Sequence, residues 1–211
     1  MVLPTALALL VCNMDRICLA VAIVPLGAEL GWNIATQGLV QSAFLWGYMA
    51  TQLLGGTLAD RHGGKVVMGC AIALFSAASM ILPLVAQPQL VGAAAVLPLA
   101  IAARVAVGLG EGVALPAMNN LIATTVPLEG RATALGQVFS GFHTGNIVGL
   151  LLSPFILANY GWRALFLAFG AVGLPLWVLW NATVPPPVRD GEKHWVCGEK
   201  KGVTRADHNH V

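Results

Sequence analysis

The segment Gly56-Thr57-Leu58-Ala59-Asp60-Arg61-His62-Gly63-Gly64-Lys65 is a short charged stretch wedged between two long apolar runs. Almost every other charge in the first half of the chain stands alone inside a hydrophobic run. Only 9% of the 211 residues are charged, whereas a soluble domain carries roughly 25%. A solvated surface of ordinary polarity is therefore out of reach. The pattern fits a polytopic membrane protein with a tight, charged turn on one face.

A spanning helix needs about 20 mostly apolar residues. Six such stretches can be drawn, over 2–24, 37–59, 66–86, 91–115, 133–158 and 164–184. Asp15-Arg16 interrupts the first, and Arg104 and Glu111 interrupt the fourth. Pro185-Pro186-Pro187 ends the sixth, because proline lacks a backbone donor and clashes with the previous turn. Only helices and closed barrels satisfy every backbone group in lipid, and the runs lack the strict alternation of barrel strands. The expected fold is an all-α membrane protein. Its 1–187 region is a six-helix transmembrane bundle and 188–211 a polar, disordered cytosolic tail. The N-terminus enters an apolar run without a basic region before it, so no cleavable signal segment is expected.

Basic residues in loops set the orientation. Arg61, Lys65, Arg131 and the tail's Arg189, Lys193, Lys200, Lys201 and Arg205 fall on one face, and Arg163 alone on the other. Both termini are therefore placed in the cytosol or its organellar equivalent. The net charge of +2 gives no argument for nucleic acid. Cys12, Cys18, Cys70 and Cys197 make no C-x-x-C pair, so neither a metal site nor a disulfide frame nor a cofactor is expected. The first three lie in apolar runs and read as small buried hydrophobes.

Three charges carry the functional argument. An arginine at mid-bilayer costs roughly 2.5–3.5 kcal/mol or more and normally faces a bundle interior or an aqueous cavity. Arg16 lies two-thirds along its run, so snorkelling to the headgroups is an alternative. Arg104 is nearer the middle. Arg104 and Glu111 share a helix face about 10 Å apart along the axis, which stretches a direct pair. Each should meet something else: another helix, water, a proton or a substrate. A structural ion-pair network is the competing reading. The glycines of Gly108-Leu109-Gly110-Glu111-Gly112 should leave room beside the carboxylate. Gln41, Tyr48 and Gln52 share one side of the second helix, as Gln137, Ser140 and Thr144 do on the fifth. Either set can line a cavity or bond a neighbouring helix. Gly141, Gly145 and Gly149 form a smooth stripe suited to close helix packing. His143 reads as a structural residue with a satisfied partner, and Asn119 and Asn120 as capping or packing residues.

The charged segment resembles the signature G-x-L-x-D-R-x-G-R-K between the second and third helices of the major facilitator superfamily. Gly56, Leu58, Asp60, Arg61, Gly63 and Lys65 match, while Gly64 replaces the usual basic residue. Further stretches resemble its sodium-phosphate and vesicular anion transporter family. They are Cys12-Asn13-Met14-Asp15-Arg16 with Val21 to Pro25, Phe44-Leu45-Trp46-Gly47-Tyr48 with Gln52, Arg104 through Val113, and Gly161-Trp162 before Phe166. Pro116-Ala117-Met118-Asn119-Asn120 resembles the plant organellar phosphate transporters. The resemblance covers about residues 1–185. It implies the N-terminal six-helix half of a twelve-helix carrier.

What the resemblance implies for function is a secondary active transporter for anions, phosphate favoured, coupled to sodium or protons by rocking access. Arg16, Arg104, Gln41 and Tyr48 would face the substrate and Glu111 would exchange a proton. Gly56, Asp60, Arg61, Gly63 and Lys65 would form a conformational motif. Gln41 stands where vesicular glutamate carriers have histidine, which fits phosphate better than glutamate. A missing Gly-Pro pair on the fifth helix argues against a drug/proton antiporter. A plastid membrane is the expected location. A single half offers half a cavity, so the partners would be a small anion, Na+ or H+, lipid, and a second six-helix half or a homodimer. The alternative is a non-transporting subunit that joins a full-length carrier. An intramembrane enzyme has least support, since H-E-x-x-H, Gly-x-Ser-x-Gly and P-loop motifs are all missing.

Overall fold

The computed structural model describes residues 2–184. They form α1 (Val2–Leu30), α2 (Ile34–His62), α3 (Gly64–Val85), the single turn α4 (Pro88–Val91), α5 (Ala93–Gly112), α6 (Ala114–Thr125) and α7 (Arg131–Thr183), with a 3-10 turn at Leu128–Gly130. Among the described residues, four segments are long and apolar enough to cross a membrane: Val2–Leu30, Gly64–Val85, Ala93–Thr125 and Leu128–Thr183. α2 matches α1 in length but is more polar, carrying Gln37, Gln41, Ser42, Thr51, Gln52 and Thr57. The expected tail, with its basic residues and Cys197, lies outside the described residues.

Three boundaries differ from the sequence reading. The charged segment is almost entirely helical: α2 continues to His62 and α3 begins at Gly64, with Gly63 alone between them at φ 83°. That positive φ is the left-handed region where glycine carries no Cβ penalty. The fourth run does not stop near Leu115. Val113 makes a one-residue break, and Pro116 sits in the first turn of α6, where a missing N–H removes no helical bond. α1 extends to Leu30 rather than Val24, with Pro25 inside it.

α7 is two helices in one. Gly161, at φ 80° and ψ 172°, breaks it. The first arm runs parallel to α1, since a Cβ on Gly141, Gly145 or Gly149 would meet Ala6, Leu10 or Met14 in turn. The glycine stripe therefore serves close packing, as its spacing allows. The second arm runs back along α3: Gly170 lies against Met80, Gly173 against Ser76, and Trp180 Nε1 donates to the Lys65 carbonyl at 3.0 Å. α2 and α5 cross through reciprocal glycines. A Cβ on Gly108 would strike the Phe44 carbonyl, and one on Gly47 the Val105 carbonyl.

Polar clasps hold the two ends. At one end Asn120 Nδ2 donates to Asp60 Oδ1 at 2.8 Å, and its own Oδ1 accepts from the Gly64 N–H at 3.1 Å. Arg131 donates to the carbonyls of Ala123 and Val126, at 2.6 and 3.1 Å, covering the open carbonyls of α6. At the other end Glu29 accepts from Trp162 Nε1 at 2.7 Å and pairs with Arg163, whose guanidinium lies 4.5 Å from the Trp162 ring centroid. Between the ends are two apolar clusters. One is built around Met68, Phe75, Met118 and Trp180, the other around Leu19, Leu26, Trp162 and Phe166.

Candidate functional site

The intramembrane charges gather where those two clusters meet. α1 has 14 residues on either side of Arg16, so the guanidinium starts roughly 21 Å from each helix end at 1.5 Å per residue. A side chain does not span that distance, so Arg16 does not reach either helix end. Arg16 instead reaches across to α5. Its Nε donates to Glu111 Oε2 at 3.1 Å, and Nη2 lies 3.1 Å from the same oxygen. Glu111 is buried, while the Arg16 side chain keeps 29% of its surface open. The pair is thus asymmetric: its anion is sealed and its cation is reachable.

Asp15 and Arg104 form the inner part of the cluster, and both are buried. Ser79 Oγ on α3 donates to Asp15 Oδ2 at 2.5 Å. Asp15 Oδ1, Glu111 Oε1 and Arg104 Nε and Nη1 have no hydrogen-bond partner among the described residues. The Asp15 and Glu111 charges both act on Arg104. With both carboxylates ionised, two cations face two anions and the cluster is neutral. Aromatic rings line the approach. The Arg16 guanidinium lies 5.0 Å from the Phe44 ring centroid and 4.8 Å from that of Tyr48, inside cation–π range.

The other candidate residues scatter more widely. Tyr48 is half-buried beside Arg16, whereas Gln41 and Gln52 are exposed. Gln137, Ser140 and Thr144 are exposed on α7, where the Thr144 hydroxyl donates to the Ser140 carbonyl at 2.8 Å. Asp60, Arg61, Gly63 and Lys65 lie together at the α2–α3 turn, far along α2 from the charge cluster. Lys65 Nζ reaches the Asn181 carbonyl at 3.4 Å, Arg61 is exposed, and Gly56 has open space where a Cβ would stand.

Three expectations need correcting. The glycines around Glu111 do not leave room for a solute. Gly108 and Gly112 admit the α2 backbone and Gly110 admits α3, so helices fill the space. His143, expected to be a structural residue with a satisfied partner, is exposed, with its ring edge-on to the neighbouring Phe142 at 5.4 Å. Cys70 is exposed, unlike the buried Cys12 and Cys18. Sequence reasoning also missed Phe44, Ser79 and the pairing role of Asn120. A carboxylate beside a mid-span arginine was a usable signal for Asp15. For Phe44 the signal was an aromatic pair four residues apart on the polar face of α2.

A bundle of long apolar helices around a half-open ion pair defines a multi-pass helical membrane protein. The chain belongs to the major facilitator superfamily, whose family model matches residues 5–198. It is 42% identical over 195 residues to "Probable anion transporter 4, chloroplastic" of Oryza sativa subsp. japonica, covering 90% of this chain and 32% of that protein. It is 43% identical over 173 residues to "Sodium-dependent phosphate transport protein 1, chloroplastic" of Arabidopsis thaliana, covering 82% of this chain and 32% of that one. The chain therefore spans about a third of the length of the curated relatives it matches. In fold it resembles the crystal structure of a bacterial homologue of the human lysosomal transporter Spinster, inward-facing and unoccupied. That likeness has a TM-score of 0.76 at 21% identity over 89% of this chain and 43% of the other.

Proposed function

We propose that this chain is the N-terminal half of a secondary active anion transporter of a plastid membrane, with inorganic phosphate the favoured substrate. Six crossings follow if α1, α2, α3, the α5–α6 pair and the two arms of α7 each traverse the bilayer. A second six-helix half completes the pathway, and the two halves rock around a midplane site. The observation that carries the reading is the Arg16–Glu111 pair: a reachable guanidinium halfway along α1, tied to a sealed carboxylate.

The geometry supports a simple coupling scheme. Ionised Glu111 occupies Arg16, so an incoming anion competes with it for the same donors. A proton on Glu111 releases Arg16 for the anion. Charge balance points the same way. An anion entering a neutral cluster leaves a net negative charge in a low-dielectric interior, which is costly unless a cation enters too. A proton on Glu111 or a sodium ion meets that need. Arginine suits phosphate because its planar fork offers paired donors, where lysine acts as a point charge. Arg104, behind Arg16, adds positive potential and has two nitrogens, Nε and Nη1, without a hydrogen-bond partner among the described residues. Tyr48 lines the approach, Gln41 stands nearly two turns away on α2, and the motif around Asp60 sets the resting state of the α2–α3 turn.

Uptake of radiolabelled phosphate into proteoliposomes tests the reading, with sodium and proton gradients imposed separately. Gradient-driven uptake that Arg104→Ala abolishes is expected. Normal uptake by Arg104→Ala removes that residue from the mechanism.

A further inference from the structure

Phe44 lies against both arginines. Its ring centroid is 5.0 Å from Arg16 Cζ on α1 and 5.5 Å from Arg104 Cζ on α5. Both distances fall within the reach of about 6 Å over which a ring face attracts a cation. The ring itself is buried. Its position follows from the α2–α5 crossing, where Gly108 packs on the Phe44 carbonyl and Gly47 on the Val105 carbonyl. α2 is therefore close enough to α5 for the Phe44 ring to meet a side chain from each neighbour.

We infer that Phe44 is a positioning residue: one aromatic ring holds the two guanidinium groups in a single cluster that faces the same anion. This inference rests on the anion-transport reading. Two like charges in a low-dielectric interior repel one another, and each would drift toward a carboxylate if nothing else fixed it. Arg16 has Glu111 and Tyr48 as further partners. Two Arg104 nitrogens have no hydrogen-bond partner among the described residues, so the Phe44 ring adds to the pull of the Asp15 and Glu111 charges in orienting it. Tyr48 touches Arg16, and its ring lies 5.6 Å from that of Phe44 at a 31° tilt, which steadies the Phe44 plane. Leucine at position 44 would keep the apolar bulk and lose the π face.

The test uses the full chain in lipid nanodiscs, with phenylalanine 44 replaced by di- and trifluorinated phenylalanine. Fluorination keeps ring shape and drains the negative face, so a packing role is indifferent to it. Phosphate Kd should rise about three- to tenfold across the series, the size expected for loss of cation–π attraction at a partly desolvated site. Phe44→Tyr should retain affinity, and Phe44→Leu should lose it with helical content intact. A second readout is independent of the ligand. In arginine-labelled protein, the Nε–H resonances of Arg16 and Arg104, assigned with Arg16→Lys and Arg104→Lys, should both move in Phe44→Leu. If either resonance stays in place, or if phosphate affinity is flat across the fluorinated series, the inference is overturned. Wild-type chain that binds no phosphate while both resonances move overturns the transport reading instead, and leaves the shared ring standing.

Discussion

Glu111→Gln keeps the shape of the Glu111 side chain and removes its charge. In the wild type, one oxygen of Glu111 accepts from Arg16 Nε at 3.1 Å and lies 3.1 Å from Arg16 Nη2. A hydrogen bond to a charged group contributes about 1.5–3 kcal/mol. Arg16 is nearly one-third open to solvent, so the lower end applies, and about 1.4 kcal/mol corresponds to tenfold in affinity. An anion competing with ionised Glu111 should therefore bind about tenfold more tightly to Glu111→Gln at alkaline pH, where the wild-type carboxyl carries its charge. The pH dependence has a defined sign. In the wild type, falling pH protonates Glu111 and frees Arg16, so anion binding tightens as pH falls. In the variant this contribution vanishes, and the ratio of variant to wild-type affinity shrinks toward one at low pH. Proton-driven accumulation should be lost while exchange of phosphate across the membrane persists. Equilibrium binding of radiolabelled phosphate in nanodiscs across a pH series measures the effect, and the ratio between the two proteins cancels the titration of phosphate itself. Binding by Glu111→Gln that is weaker than wild type at every pH would refute the competition argument.

Other outcomes follow from packing and from the clasps. Gly108→Ala drives a methyl into the Phe44 carbonyl, a backbone atom that cannot step aside. Overpacking of this kind costs about 1–3 kcal/mol, read as a drop of several degrees in thermal unfolding. Asn120→Ala removes the donor to Asp60 and the acceptor for the Gly64 N–H. Faster amide exchange at Gly64 and a loss of about 1–2 kcal/mol should result. Glu29→Gln weakens the link to Arg163 but can still accept from Trp162, so its effect on melting should be small, within about 1 kcal/mol, and should fade with added salt.

Fold class was legible because lipid imposes one rule on every span: about 20 apolar residues, with all backbone groups paired internally. Boundaries were less legible. The charged stretch at 56–65 reads as a loop, yet all but Gly63 is helical, since an end facing water tolerates charge without uncoiling. The fourth run is drawn to end at 115, yet helix continues through Pro116 to Thr125. The members of the charge cluster were visible singly, because an intramembrane arginine or glutamate is conspicuous in an apolar run. Their pairing was not. Arg16 and Glu111 are 95 residues apart, and no local spacing says which helices adjoin. The glycines near Glu111 illustrate the same limit. Sequence shows that side chains are missing there, and only packing shows that the backbones of α2 and α3 take the space.

The claim beneath all of this is that Arg16, halfway along α1, is the first group to hold the anion. Saturable phosphate binding by purified chain in nanodiscs, compared between wild type and Arg16→Ala, tests it most directly. The account predicts binding by the wild type that excess unlabelled phosphate displaces, and at least tenfold weaker binding by Arg16→Ala with helical content intact, since one charge-assisted contact is worth about 1.5–3 kcal/mol. Equal affinity in the two proteins would contradict it.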